Sequence, residues 1–115
     1  MAYVIDNVFW RILRKDIPCT IVLENEFSLA FHDINPKAAV HILVIPKGQY
    51  VDFYEFHKMA SIDAIAGFYK LVTDVVSLFK LQQSGFQLIT RSGINGRQEV
   101  PHFHVHILGG ELLNS

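Results

Sequence analysis

The sequence predicts an α+β domain: a mostly antiparallel sheet of about five strands, with one long and one short helix packed against it. Three observations predict it. Apolar runs of strand length gather before Pro46 and after Gly85. Between Asp52 and Gln82 the apolar spacing turns helical. Few crossovers separate consecutive strand runs, so neighbours are expected to pair antiparallel. With 115 residues, half of them hydrophobic and 12% aromatic, the chain can bury a core of its own. Residues 1–115 are therefore read as a single domain.

The elements follow in order. Asp6 or Asn7 can cap a short helix carrying Val8, Phe9, Ile12 and Leu13, with Arg14 and Lys15 near its C-terminal end and Pro18 stopping it. Thr20–Leu23 reads as a strand, Glu24-Asn25-Glu26 as a tight turn and Phe27–His32 as the hairpin partner. Asp33–Lys37 is a loop, and Val40–Ile45 a central strand that ends at Pro46. Phe53, Tyr54 and Phe56 suggest a short first turn or helix, and His57 is expected at the surface. Ser61 caps the long helix, with Ile62, Ile65, Ala66, Tyr69, Val72, Val76 and Phe79 on its inner face and Ser84-Gly85 at its end. Phe86–Thr90 forms the next strand. Arg91–Glu99 is a polar, glycine-containing loop whose free N–H groups could meet an anion.

Ten basic and eleven acidic residues give a net charge of −1, so nothing general attracts nucleic acid or an anionic membrane. A local basic patch would still suit a small anionic ligand. The single cysteine, Cys19, excludes an intramolecular disulfide and a cysteine-based metal cluster. It is expected to be a small, at least half-buried thiol in a reducing compartment. The opening residues have no basic region followed by a long apolar run, and no segment has the length of a membrane span. A soluble, cytoplasmic protein is expected.

His102-Phe103-His104-Val105-His106-Ile107-Leu108, followed by Gly109-Gly110, has the period of a β-strand. In that reading Phe103, Val105 and Ile107 enter the core and three imidazoles share the opposite face, about 6.6 Å apart. Histidine is not a favoured strand residue, so a merely structural polar face is the weaker explanation. Metal is a second. Three ligands on one straight strand hardly converge on one ion, so His41 or Asp33 would have to help. No metal or other cofactor is expected. The third reading is phosphoryl or nucleotidyl chemistry: a neutral imidazole can attack phosphorus, while its neighbours orient it and stabilise the developing charge.

The triplet matches the signature of the histidine triad (HIT) family, His-φ-His-φ-His-φ-φ. Asn7-Val8-Phe9 with Ile12–Pro18, Ala30–Pro36, His41–Lys47, Gln98–His102 and Leu108–Gly110 resemble the Hint branch of that family, the histidine triad nucleotide-binding proteins. The resemblance implies a HIT-like fold and a homodimer whose two sheets join. It implies a purine nucleotide substrate, cleaved at its α-phosphate. By position, His104 resembles the nucleophile, His106 the donor to the phosphate or leaving group, His102 the orienting member and His41 its supporting fourth histidine. Asp33 would accept from the ribose hydroxyls. Phe9, Ile12, Phe31, His32 and Ile34 resemble the lining of a base pocket. Gln98, Glu99 and Val100 would face the phosphate through side chains or amides. Arg91 stands where the family usually has asparagine or glutamine, and Glu99 replaces the serine of some relatives. The tail Glu111–Ser115 lacks an aromatic that some relatives carry across the dimer. The activity implied is hydrolysis of nucleoside 5′-phosphoramidates, preferably adenosine-type, through a nucleotidyl-histidine. The alternatives are dinucleoside polyphosphate hydrolysis, or a nucleotide-binding or scaffolding dimer with little turnover.

Overall fold

The computed structural model describes residues 2–114; Met1 and Ser115, at the ends of the opening and tail segments noted above, lie outside them. Helix α1 (Val8–Leu13) is capped by Asn7, whose side-chain oxygen accepts from the Trp10 N–H at 2.9 Å. Strands β1 (Ile21–Glu24) and β2 (Ser28–His32) form a hairpin. Asn25 closes it by accepting from the Phe27 and Ser28 N–H groups at 3.0 and 2.9 Å, while its amide donates to the Gly67 carbonyl. Strand β3 (Val40–Pro46) follows, then α2 (Phe53–Met59) and α3 (Ile62–Leu78), capped by Asp52 and Ser61 respectively. A single turn, α4 (Leu81–Ser84), leads into β4 (Phe86–Ile89), and β5 (Val105–Gly109) ends the sheet-forming segment. The five strands lie in the order β1-β2-β3-β5-β4, antiparallel throughout.

Strand alternation divides the apolar residues between two layers. Ala30, Ile42, Val44, Val105 and Ile107 face α2 and α3 and join Phe56, Phe68, Leu71, Val72, Val75 and Phe103 in the main core. Leu29, Phe31, Leu43 and Ile45 face the other way and are covered by Phe9 of α1. That second face carries the histidines.

Three local expectations are corrected. The buried stripe of α3 centres on Phe68, Leu71, Val72, Val75 and Val76, whereas Ile62 is 85% exposed and Ala66 is also outside. Apolar residues occur on more than one side of this helix, so periodicity alone left its phase open. The long helix also does not run to Ser84: Lys80 takes φ 57°, which breaks it into α3 and α4. The short turn or helix suggested at Phe53–Phe56 is α2, and α4 is the added short helix. His57 is half-buried rather than a plain surface residue, with Nδ1 on the Phe53 carbonyl and Nε2 on the Tyr69 hydroxyl at 2.7 and 2.8 Å.

The histidine strand is shorter than its alternation suggests. Regular pairing begins at Val105, opposite Val44. Before it, the Phe103 N–H turns to the Tyr50 carbonyl at 2.7 Å and the His102 ring takes the Pro46 carbonyl. Residues 102–104 are thus held by individual bonds such as these instead of a β ladder.

Candidate active site

A cavity of about 570 Å³ opens on the α1 face of the sheet. Its wall follows the strand order. Asp33 leaves β2, His41 starts β3, His104 and His106 belong to the β5 segment, and Ile89 and Arg91 lie at the end of β4. Phe9 closes the α1 side, and the loop from Arg97 to Val100 closes another.

The hydrogen bonds assign each imidazole a tautomer. His104 Nδ1–H donates to the His102 carbonyl at 2.7 Å, which leaves Nε2 as the lone-pair nitrogen of a ring that lines the cavity. His102 Nε2–H donates to the Pro46 carbonyl at 2.9 Å, so its Nδ1 accepts from the Tyr3 hydroxyl at 2.7 Å. The Lys37 backbone N–H donates to His41 Nδ1 at 2.9 Å. Neutral His41 must then carry its proton on Nε2, which lies 2.9 Å from His106 Nδ1 and 3.3 Å from an Asp33 oxygen. His106 in turn holds its own proton on Nε2. The network produces one unprotonated nitrogen, on His104, beside one N–H donor, on His106.

Electrostatics keeps these rings neutral. Burial pushes His102 down to about 4, against the opposing pull of the Pro46 carbonyl bond. Burial also carries His106 to about 4, helped by His104, His41 and Arg91. His104 is lowered chiefly by burial and also by Arg91, while its bond to His102 and the carboxylates of Asp33 and Glu99 resist. His41 is lowered by burial against the pull of Asp33. With His41 neutral and its Nε2–H directed to His106, its 3.3 Å approach to the Asp33 carboxylate is not an ion pair.

A pH dependence of stability follows. The unfolded chain takes up protons on these histidines near pH 6.5, whereas folded His102 and His106 resist protonation until about 4. Between those values the unfolded state holds more protons, so stability falls as the pH drops through that window and levels off below it. The urea midpoint is expected to decline from about pH 6.5 to about pH 4. A midpoint unchanged across that range would contradict neutral, buried rings.

Asp33, His41 and His106 place ligand-type atoms within 4.8 Å of one another, a spacing that could suit a metal ion. The donor set does not fit one. His41 Nδ1 is occupied as the acceptor for the Lys37 N–H, so Nε2 bears a proton and has no lone pair for a metal.

Several expected site residues have other placements. Gln98 lines the cavity, but it is buried and its side chain is used up holding the loop. Its amide donates to the Val51 and Val100 carbonyls at 2.6 and 2.9 Å, and its oxygen accepts from the Gly93 N–H at 2.9 Å. Glu99 and Val100 line the cavity. Phe31 is buried beneath Phe9, the ring centroids 5.7 Å apart. Ile12 packs on the same cluster but lines a separate cleft on the far side of α1. His32 points to the opposite face of the sheet, 6.2 Å from the Phe79 ring, and Ile34 is 91% exposed; neither lines the cavity. Two participants carried no sequence signal. Tyr3 reaches His102 across 99 residues of chain, and the Thr90 hydroxyl donates to the His104 carbonyl at 2.8 Å.

The fold has counterparts among known proteins. Residues 14–112 match the HIT domain family. A 13.2 kDa HIT-like protein of Azospirillum brasilense is 48% identical over 108 residues, covering 94% of this chain and 88% of its own. A histidine triad protein from Clostridium difficile superposes with a TM-score of 0.87 at 34% identity, over 99% of this chain and 98% of the other. A HIT family hydrolase from Clostridium thermocellum gives 0.83 at 31%, over 97% and 96%. By its matched domain, its relatives and its fold, the chain belongs to the HIT family.

Proposed function

We propose that this protein hydrolyses nucleoside 5′-phosphoramidates, preferably of adenosine, by attack of His104 Nε2 on the α-phosphorus. The observation that carries this reading is the 2.7 Å bond from His104 Nδ1–H to the His102 carbonyl, which dedicates the other ring nitrogen to attack. His106 Nε2–H would donate to a phosphoryl oxygen as charge builds there. A P–Nε2 bond forms as the substrate P–N bond breaks, and the departing amine takes a proton from water. A second water then cleaves P–Nε2, releasing the nucleoside monophosphate, restoring neutral His104 and returning the proton.

Asp33, at the β2 end of the cavity, is the acceptor proposed for the ribose hydroxyls. Phe9, which closes the α1 side of the cavity and packs on Phe31 behind it, is the apolar surface proposed for the purine. Hydrolase activity agrees with the name of the Clostridium thermocellum relative. A homodimer joined through β4 is part of the proposal. That strand ends the sheet, and its Phe86 and Leu88 side chains are exposed.

The test is turnover of an adenosine 5′-phosphoramidate beside a diadenosine polyphosphate. Faster release of AMP from the phosphoramidate is expected. Preferential cleavage of the polyphosphate would replace the substrate class, and tight AMP binding without turnover of either would leave a binding protein.

A further inference from the structure

Resting on that reading of the site, one end of the cavity carries two arginines, Arg91 and Arg97, against the single carboxylate of Glu99. Across the sheet, Asp33 stands over β2, the histidines over β3 and β5, and Arg91 beyond β4. If the nucleoside lies toward Asp33, the group leaving phosphorus lies toward Arg91 and Arg97, at the two ends of one loop. Both arginines line the cavity, and among the described residues neither has a carboxylate within ion-pairing distance. Arg91 is also close enough to act on both His104 and His106.

The backbone adds an independent observation. Arg97 adopts φ 61°, because its N–H returns to the Ile94 carbonyl at 3.0 Å and the Gln98 N–H to Gly93 at 3.0 Å. Glycine takes that conformation at little cost and arginine does not. Lys15 and Lys80 share the conformation, but at helix ends, where it is common. At residue 97 a strained position holds a cation against the cavity.

We propose that Arg91 and Arg97 form an anion subsite on the leaving-group side, so that preferred substrates expel a group bearing its own carboxylate or phosphate. Three adenosine 5′-phosphoramidates test it, with ethanolamine, glycine or phosphoethanolamine as the leaving amine. The glycine or the phosphoethanolamine compound is expected to show kcat/KM about tenfold above the neutral one, and whichever leads identifies the anion. In Arg97→Gly, which suits the loop conformation, that ratio should fall toward one; Arg97→Lys should keep much of it. A merely structural role would lower all three substrates together and leave the ratio intact. Wild-type protein without an anionic preference, or Arg97→Gly with the preference unchanged, overturns the subsite.

Should none of the three turn over, the phosphoramidate reading fails while the subsite is still tested by inorganic pyrophosphate. The wild type should then bind it, with NMR shifts in residues 91–97, and Arg97→Gly should bind it at least about fivefold more weakly. No binding, or equal binding by both, refutes the subsite.

Discussion

Replacing His104 with alanine is expected to lower kcat by roughly 10⁴-fold or more, with the fold retained. The reason is the division of labour among the imidazoles. His104 alone presents an unprotonated nitrogen to the cavity; His106 presents an N–H, and both nitrogens of His102 are occupied, by Pro46 and Tyr3. None can take over the attack without a change of tautomer. The ring rests edge-on against Phe9, with centroids 4.9 Å apart, and its removal leaves the main core on the other face untouched. Circular dichroism should match the parent protein while turnover disappears. His106→Ala is expected to retain more activity, because it removes a donor to the phosphate and not the nucleophile. Near-parental turnover in His104→Ala would exclude covalent catalysis at this residue.

Phe103→Ala is expected to destabilise the protein by about 3–5 kcal/mol. Phe103 is almost fully buried and packs against Phe56 at 4.9 Å, nearly parallel, and against Phe68 at 5.1 Å. Its neighbours in sequence are the orienting histidine and the nucleophile, so the same side chain that fills the core tethers the catalytic backbone. The cavity left by alanine would loosen the His102 carbonyl that holds His104. Chemical denaturation should show the loss, and kcat should fall at temperatures where the variant remains folded. Phe103→Leu, nearer in volume, should cost about 1 kcal/mol and keep most activity. Equal stability of the alanine variant and the parent would mean that the aromatic cluster does not anchor the site.

Much of this arrangement was legible because alternation is a local property. The period of two in residues 102–108 placed Phe103, Val105 and Ile107 inward, and all three are buried in the main core. The same rule, applied strictly to β2, separates Phe31 and Asp33 from His32, which indeed faces Phe79 on the other side. Counting His32 among the pocket residues set a family likeness above the strand's own geometry. Other features lay beyond local pattern. The Tyr3–His102 bond joins positions 99 residues apart, and nothing near Tyr3 marks it. The phase of α3 depended on which of several apolar sides meets the sheet. Gln98 was a plausible phosphate ligand from its place in the loop; only the three carbonyl and amide partners around it show that its side chain is already committed.

The most direct measurement is rapid quenching of the protein with an adenosine 5′-phosphoramidate, followed by mass spectrometry of the histidine-containing peptide. The account predicts an adenylyl group on His104, forming before AMP appears and decaying as AMP is released. AMP production with no such adduct at any quench time, or an adduct on His102 or His106 instead, would contradict it.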